Sequence, residues 1–475
     1  MLAKFWNKFT IPFLKNMGRM NNPTAPPVVV VLGATGTGKT KLSIELAQKF
    51  NGEVVNADSL QVYKGLDIIT NKVTKEEMAM VPHHLIDFLE PLTPITVVDF
   101  RNRALKVIQD IFQRNKMPVI VGGTHYYIEA LLWEFLIDAD KTASDTFLFQ
   151  QDKMQKENQI ETESSQVNVD TVFSKPIFMS SFKDVPSDVL YNILMEVDPE
   201  AAQVLHPNDR RKVIRILQII QRNNGTKYSS LIKDQHSKTG GSNLSGPLRY
   251  PKTVIFWTHT EPDILNKRLD DRVDEMLRQG LLKELTDFHT NYASSRVSSG
   301  FKPDYTEGIF QAIGFKEFHS YLVQEEKNEK LLEKSILEMK VQTRRYAKKQ
   351  MKWIRNRLLE AHNRIIPPLF QVNTSHPENW VVDVRDKAFQ IMERIIADDI
   401  LPHDLQPVSQ TQTKVIDRKR VRRCDICNKV CAGQEQWEAH VQSKGHRALK
   451  KLASELTVYS KVDGVKTIES KHDNS

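Results

Sequence analysis

Apolar positions along the chain follow two rhythms, and their alternation predicts an α/β core. Val28 to Leu32 is an unbroken, mostly β-branched run behind Pro26-Pro27, the pattern of a strand buried on both faces of a parallel sheet. Gly33 to Gly38 predicts a loop. Lys39 to Phe50 predicts a helix, because Leu42, Leu46 and Phe50 recur every fourth residue and Asn51-Gly52 ends the pattern. Glu53 to Asn56, Met117 to Val121 and Val254 to Trp257 read as further strands. Parallel strands gather their functional loops at their carboxyl ends, where Asp58 and Gly122-Gly123-Thr124 fall.

Other stretches break this rhythm. Residues of about 140 to 185 are rich in Gln, Ser, Asp and Lys without an apolar period, which predicts a flexible insertion. Pro186 to about Thr226 predicts helices, with His206-Pro207-Asn208-Asp209 as an N-cap signal. Long helices are expected over 262–290 and 329–360. The organisation expected is a basic segment (1–25), a P-loop α/β core (26–135), an insertion that is flexible and then helical (136–250), the remainder of the core (251–400), a linker (401–417), a small C-terminal module (418–450) and a charged tail (451–475).

Composition narrows the function classes. A chain of 475 residues has room for two or three cores. Its net charge of +8 suits polyanionic partners. The cysteines are Cys424, Cys427 and Cys431, with none before them, which excludes a disulfide framework. No apolar run approaches the roughly 20 residues needed to span a bilayer, so no membrane partner is expected, and a monomer is. Lys4, Lys8, Lys15 and Arg19 lie among Phe and Leu, and no acid precedes Glu45. That is the pattern of a mitochondrial presequence, with a basic tail as the plainer reading. A start at Met17 or Met20 would remove the segment, so mitochondrial and cytoplasmic forms are both expected.

Gly33-Ala34-Thr35-Gly36-Thr37-Gly38-Lys39-Thr40 matches G-x-x-x-x-G-K-[ST] between a predicted strand and a predicted helix, the context a P-loop requires. Its backbone N–H groups and the helix N-terminus favour phosphate, Lys39 reaches a terminal phosphate, and the Thr40 hydroxyl can hold Mg²⁺. An ATPase would place an aspartate at the end of a second buried strand. Here that strand ends in Gly-Gly-Thr-His-Tyr-Tyr, and Asp58 is the nearby carboxylate. General base, Mg²⁺ organiser and strand-end cap are all open to it. Arg272, with Asp271, Asp274 and Glu275 at hand, reads on spacing alone as a helix-surface ion pair. Tyr126 and Tyr127 read as core aromatics, with a role as stacking residues as the alternative.

In order, the P-loop, Asn-Ala-Asp-Ser-Leu-Gln-Val-Tyr (56–63), Ile-Thr-Asn-Lys, Pro-His-His, Gly-Gly-Thr-His-Tyr-Tyr, Arg-Leu-Asp-Asp-Arg-Val, Ile-Gly-Phe-Lys-Glu-Phe and Thr-Arg-Arg-Tyr-Ala-Lys-Lys-Gln resemble the tRNA dimethylallyltransferase family over residues 28–360. With the C-terminal module the chain looks like a eukaryotic, fungal-like member. The resemblance implies transfer of a dimethylallyl group from dimethylallyl pyrophosphate to N6 of the adenosine at tRNA position 37, beside the anticodon. It implies that Gly33, Thr35, Gly36, Thr37, Gly38, Lys39 and Thr40 hold the pyrophosphate with Mg²⁺, that Asp58 takes the N6 proton and that Arg272 balances the departing charge. Asp58, Ser59, Leu60, Gln61 and Thr124 match positions that hold the flipped base. The rival readings are a P-loop small-molecule kinase and an RNA-binding regulatory protein.

Arg344 to Arg357 contains seven basic residues and no acid. Arg345, Lys348, Lys349 and Lys352 share one helical face, opposite Ala347, Met351, Ile354 and Leu358, and are expected to meet the tRNA backbone. Arg211 and Arg215 resemble a second RNA-contact segment; some members carry arginine where this chain has Lys212. Cys424-x2-Cys427-x12-His440-x5-His446 has C2H2 zinc-finger spacing, four ligands that close a tetrahedral, structural Zn²⁺ site and leave Cys431 spare. Basic residues flank the finger, which suits an added tRNA contact, with protein contact as its rival; the same run fits a nuclear import signal.

Overall fold

The computed structural model describes residues 26–134, 168–174, 176–177, 182, 185–237, 245–293, 308–324, 328–360, 364–410, 421–427 and 429–463. The chain divides into two units, one of residues 1–135 and 238–412, the other of 136–237 and 413–475. The basic N-terminal segment and most of the 140–185 stretch lie outside the described residues, as do 411–417 of the linker.

The first unit is built on a parallel sheet. Its strands are β1 (Val28–Gly33), β2 (Gly52–Asn56), β3 (His83–His84), β4 (Met117–Gly122), β5 (Thr253–His259) and β6 (Leu369–Asn373), in the order β3-β2-β4-β1-β5-β6. Every pairing is parallel, with Val30 opposite Ile120 on one side and Ile255 on the other. Because successive side chains of a strand point to opposite faces, Val28, Val30 and Leu32 enter one core and Val29 and Val31 another. The first core is closed by α3 (Val97–Gln113) and α4 (His125–Leu132) through Phe100, Ile108, Ile128 and Leu131. The second is closed by α1 (Lys39–Lys49) and α9 (Lys387–Ile396) through Leu42, Leu46, Ile391 and Met392. In chain order the remaining helices are α2 (Lys75–Met80), α5 (Pro262–Arg278), α6 (Leu281–Phe288), α7 (Phe315–Leu322) and α8 (Glu329–Ile354). Val273, Leu281, Phe315, Phe318 and Met339 join Val62, Tyr63 and Ile69 in a third core. Among the described residues no helix is long and apolar enough to cross a membrane.

Several local expectations are corrected. The helix expected over 262–290 is two helices, because Gly280 takes φ 102° and starts α6 anew. Residues 401–410 are not a free linker: Leu405 is buried, and the Val408 N–H donates to the Leu369 carbonyl. Tyr126 is 49% exposed, so only Tyr127, stacked on Phe100 at 4.2 Å, is a core aromatic. In the second unit Val169–Phe173 is helical with Val172 buried, within the stretch expected to be flexible. Asp209 does occupy the N-cap of helix Arg210–Arg222, but its carboxylate pairs with Lys212 at 2.7 Å instead of capping the backbone. That helix packs Val213, Ile214 and Leu217 on Leu190 and Leu194 of helix Ser187–Val197.

A charged cluster braces the edge of the sheet opposite the P-loop side. Glu53, buried on β2, accepts from both Arg114 guanidinium nitrogens, from Lys116 at 2.8 Å and meets His84 Nε2 at 2.7 Å. Burial alone would push its carboxyl up, but the hydrogen bonds from Lys116, His84 and Arg114 outweigh it and hold the pKa down to about 2. Its ordinary value is 4.5, so the contribution to stability is complete above that pH and drains away as pH falls toward 2. Glu53→Gln, which leaves the cations without their counter-charge, is expected to lower unfolding free energy by about 3 kcal/mol at neutral pH. Urea denaturation at pH 7 and pH 3 checks it, and the gap between variant and wild type should shrink at the lower pH.

Candidate active site and nucleic-acid interface

The P-loop follows β1 and is shaped from outside as well as by its own glycines. Gly36 and Gly38 take φ 83° and 81°, the left-handed region. A Cβ on Gly38 would fall 2.7 Å from the Trp380 ring, so the loop has room there only for glycine. Trp380 is held by its indole N–H, which donates to Glu45 at 2.8 Å. From α5, Arg268 donates to the carbonyls of Thr374 and Ser375 and, at 3.4 Å, of Gly36. Thr37 is fully buried, its hydroxyl bonded to the Ala34 carbonyl at 2.8 Å and to the Thr258 hydroxyl at 2.6 Å. Its side chain therefore builds the loop, and only its backbone is left for an anion.

Lys39 and Thr35 of this loop meet Arg272 of α5. Lys39 Nζ donates to the Ala34 carbonyl at 2.7 Å. Burial pushes its ammonium down to about 7; Arg272 adds to this and Asp58 opposes it. Arg272 Nη1 donates to the Thr35 hydroxyl at 2.9 Å. This corrects the surface ion-pair reading: Arg272 turns to the Thr35 hydroxyl, while Asp274 pairs with Lys340 and Glu275 with Arg278. Burial and the adjacent Arg268 disfavour its charge.

The opposing wall is made by the loops after β2 and β4. Asp58 Oδ1 accepts from the Leu60 N–H at 3.0 Å. Burial raises its pKa above the ordinary value, against the Leu60, Gln61 and Gly123 N–H groups and Lys39. The Ser59 N–H donates to the Thr124 hydroxyl at 3.0 Å, which in turn donates to the Ser59 hydroxyl at 3.1 Å. The Gln61 amide is committed to the Thr70 and Asn71 carbonyls, and so braces the loop.

Helix α8 presents two faces. Arg345, Lys348, Lys349 and Lys352 are exposed, whereas Ala347, Gln350 and Ile354 are buried. Arg344 pairs with Asp270 and Arg357 with Glu129, so these two hold the helix in place. An open cleft of about 240 Å³, lined by Phe310, Ile313, Lys316, Gln342, Arg345, Tyr346 and Lys349, lies along the exposed face. Gln350 and Tyr346 reach the opposing loops, and sequence reasoning gave neither a role. In the second unit Arg211 and Lys212 are exposed and Arg215 is half-buried.

A family profile described as IPP transferase matches residues 61–357, and one described as isopentenyl transferase matches 26–88. A human tRNA dimethylallyltransferase is 40% identical over 450 residues, covering 94% of this chain and 89% of its own. The chain belongs to the tRNA dimethylallyltransferase family. A tRNA dimethylallyltransferase of Saccharomyces cerevisiae is 32% identical over 89% of this chain and 91% of its own, and one of Bacillus subtilis is 34% identical over 74% and 94%. Identity to the human relative exceeds that to the yeast one, so the fungal expectation gains no support over another eukaryote. A crystal structure of a eukaryotic dimethylallyltransferase acting on tRNA superposes with a TM-score of 0.70 at 29% identity, over 92% of this chain and all of that one.

As in a C2H2 zinc finger, whose profile matches residues 422–446, strands Val421–Arg423 and Val430–Ala432 precede helix Gln434–Val441. One ligand atom each from Cys424, Cys427, His440 and His446 lies within 4.8 Å of all the others. His446 Nδ1 sits 3.5 Å and 3.3 Å from the two sulfurs, close to the spacing of neighbouring ligands on one tetrahedral zinc. His440 Nε2 is buried without a hydrogen-bond partner, which a metal would supply. The donor set fits a structural Zn²⁺ with no open position, and Cys431 stands outside it.

Proposed function

We propose that this enzyme transfers the dimethylallyl group of dimethylallyl pyrophosphate to N6 of the adenosine at tRNA position 37. The observation that carries the assignment of roles is the pairing of the P-loop groups Thr35 and Lys39, joined by Arg272 of α5, with a half-buried carboxylate, Asp58, on the facing loop. In the reaction the N6 nitrogen bonds to the allylic carbon as that carbon's bond to oxygen breaks. Asp58 accepts the N6 proton, and pyrophosphate leaves with the electron pair, its charge met by Lys39, Arg272 and the loop N–H groups. The Thr35 hydroxyl, which accepts from Arg272, keeps its own proton to donate to the leaving group. Thr40, in the first turn of α1, offers a hard oxygen that together with pyrophosphate oxygens suits Mg²⁺, which would neutralise leaving-group charge.

The acceptor base must leave its stack, which costs a few kcal/mol and is least for a loop nucleotide. Ser59, Leu60 and Thr124 are assigned to receive it, with Gln61 bracing their loop, and the exposed cations of α8 are assigned to the anticodon stem-loop backbone. Arg211, Arg215 and the finger are assigned further tRNA contacts. Incubation with labelled dimethylallyl pyrophosphate, Mg²⁺ and unmodified tRNA is expected to give tRNA labelled at one adenosine, located by nuclease digestion and mass spectrometry. No label in tRNA, with phosphate transfer from ATP to a small molecule instead, would replace this reading by a kinase.

A further inference from the structure

We infer that Gln350 is a positioning residue that sets the separation between the donor loop and the acceptor loop, a role that rests on the prenyl-transfer reading above. Gln350 is 5% exposed, although its neighbours Lys348, Lys349 and Lys352 on α8 are exposed. Both halves of its amide are used. Oε1 accepts from the Thr35 N–H of the P-loop at 2.8 Å, and Nε2 donates to the Gly123 carbonyl after β4 at 2.9 Å.

One planar group thus ties the loop that holds the leaving group to the loop that holds the base. The β1–β4 ladder fixes the strands up to Leu32 and Gly122, but neither loop beyond them belongs to it. The fit is close, since a Cβ on Gly123 would lie 2.5 Å from Gln350 Nε2 and 3.5 Å from Asp58 Oδ2. One turn earlier, the Tyr346 side chain lies beside Gln350 and Thr124. Thr35 is held twice, by Gln350 at its N–H and by Arg272 at its hydroxyl.

The reacting nitrogen and carbon must be held about 3–3.5 Å apart, and a misplacement of about 1 Å costs about 100-fold in rate. The acceptor and donor of a glutamine amide meet the N–H and the C=O with the same side chain. Glutamate would turn a carboxylate oxygen toward the Gly123 carbonyl, and methionine would offer neither bond. Because Gln350 lies on the helix whose other face carries the tRNA-binding cations, RNA seated on α8 is registered against both loops at once.

The test uses the full chain with an anticodon stem-loop and dimethylallyl pyrophosphate. Gln350→Met is expected to lower the single-turnover rate by about 30- to 100-fold, with the stem-loop dissociation constant within about twofold of wild type. Gln350→Glu should be slow at pH 8 and approach wild type, measured at the same pH, as pH falls toward 6 and the buried carboxyl regains a donating proton. The Gln350→Met ratio to wild type should not change with pH. A purely structural residue would show no such recovery, and active-site titration separates slower turnover from lost folded enzyme. A Gln350→Met rate within threefold of wild type, a loss that tracks the inactive fraction, or a Gln350→Glu ratio flat in pH would overturn the role. Wild-type protein that transfers nothing would instead overturn the prenyl-transfer reading along with it.

Discussion

Replacing Asp58 by alanine is expected to cut the single-turnover rate of prenyl transfer by about 10²- to 10⁴-fold, the usual worth of a positioned base. The exocyclic amine of adenine is a poor nucleophile whose lone pair is delocalised into the ring, so its attack must be coupled to loss of a proton. Asp58 is suited to take it. Burial raises its pKa and makes it a stronger base than a solvated aspartate, while the Leu60, Gln61 and Gly123 N–H groups oppose that rise and the Leu60 N–H aims Oδ1. Asp58→Asn retains an oxygen for the Leu60 N–H and removes the base, so it should lose nearly as much as alanine without unfolding the loop. Binding of tRNA, measured by filter retention, should change by only a few-fold, since the backbone contacts assigned to α8 remain. If Asp58→Asn kept a tenth of the rate, or if both variants lost tRNA affinity in step with activity, Asp58 would be a loop cap or a base-binding group and the proton acceptor would lie elsewhere.

The parts of this site that are legible in the sequence are those whose partners are close in the chain. The P-loop, its strand and its helix are a local unit, and Asp58 stands out because it follows a strand directly. The C2H2 spacing is likewise local, four ligands within one short segment. What escaped are residues whose partners are far away in sequence: Gln350 bonds to Thr35 across 315 positions, Arg268 to Thr374 across 106 and Trp380 to Glu45 across 335. Spacing rules weigh neighbours on one helix, and for Arg272 they missed the Thr35 hydroxyl 237 positions away, while two of the acids they offered pair with Lys340 and Arg278. Strand β6 was missed although Pro367-Pro368 and Asn373-Thr374-Ser375 frame it: Leu369–Asn373 is a run of five residues, and the core it completes is assembled from distant segments. A basic helix reads in sequence as one charged stripe. In the fold it separates into exposed cations, Arg345, Lys348, Lys349 and Lys352, and cations, Arg344 and Arg357, consumed by Asp270 and Glu129.

Lys39 makes the second large difference, and its effect should depend on pH. Its ammonium ionises near 7 in the unliganded protein, because burial and Arg272 outweigh the help from Asp58. A lysine lowered in this way is charged below that pH and neutral above it, so the form that attracts pyrophosphate is lost as pH rises through 7. Since kcat/KM for the donor reports the free enzyme, it should fall on that side. Asp58, whose pKa is raised, loses its basic form as pH drops, which gives the profile an acid limb and makes it a bell. Once pyrophosphate is bound, its negative charge restores the Lys39 proton, so kcat should hold to higher pH than kcat/KM. Lys39→Met should reduce kcat/KM by about 10²- to 10³-fold at pH 6.5, the cost of one missing cation at a developing charge, and should abolish the basic limb near 7. Lys39→Arg places a guanidinium that stays protonated; it should be slower than wild type at pH 6.5 but decline much less between pH 7 and 9. Steady-state rates against donor concentration across pH 5–9 give all three profiles. A basic limb unchanged in both variants would assign that ionisation to another group and leave Lys39 as a packing residue of the loop, bonded to the Ala34 carbonyl it already touches.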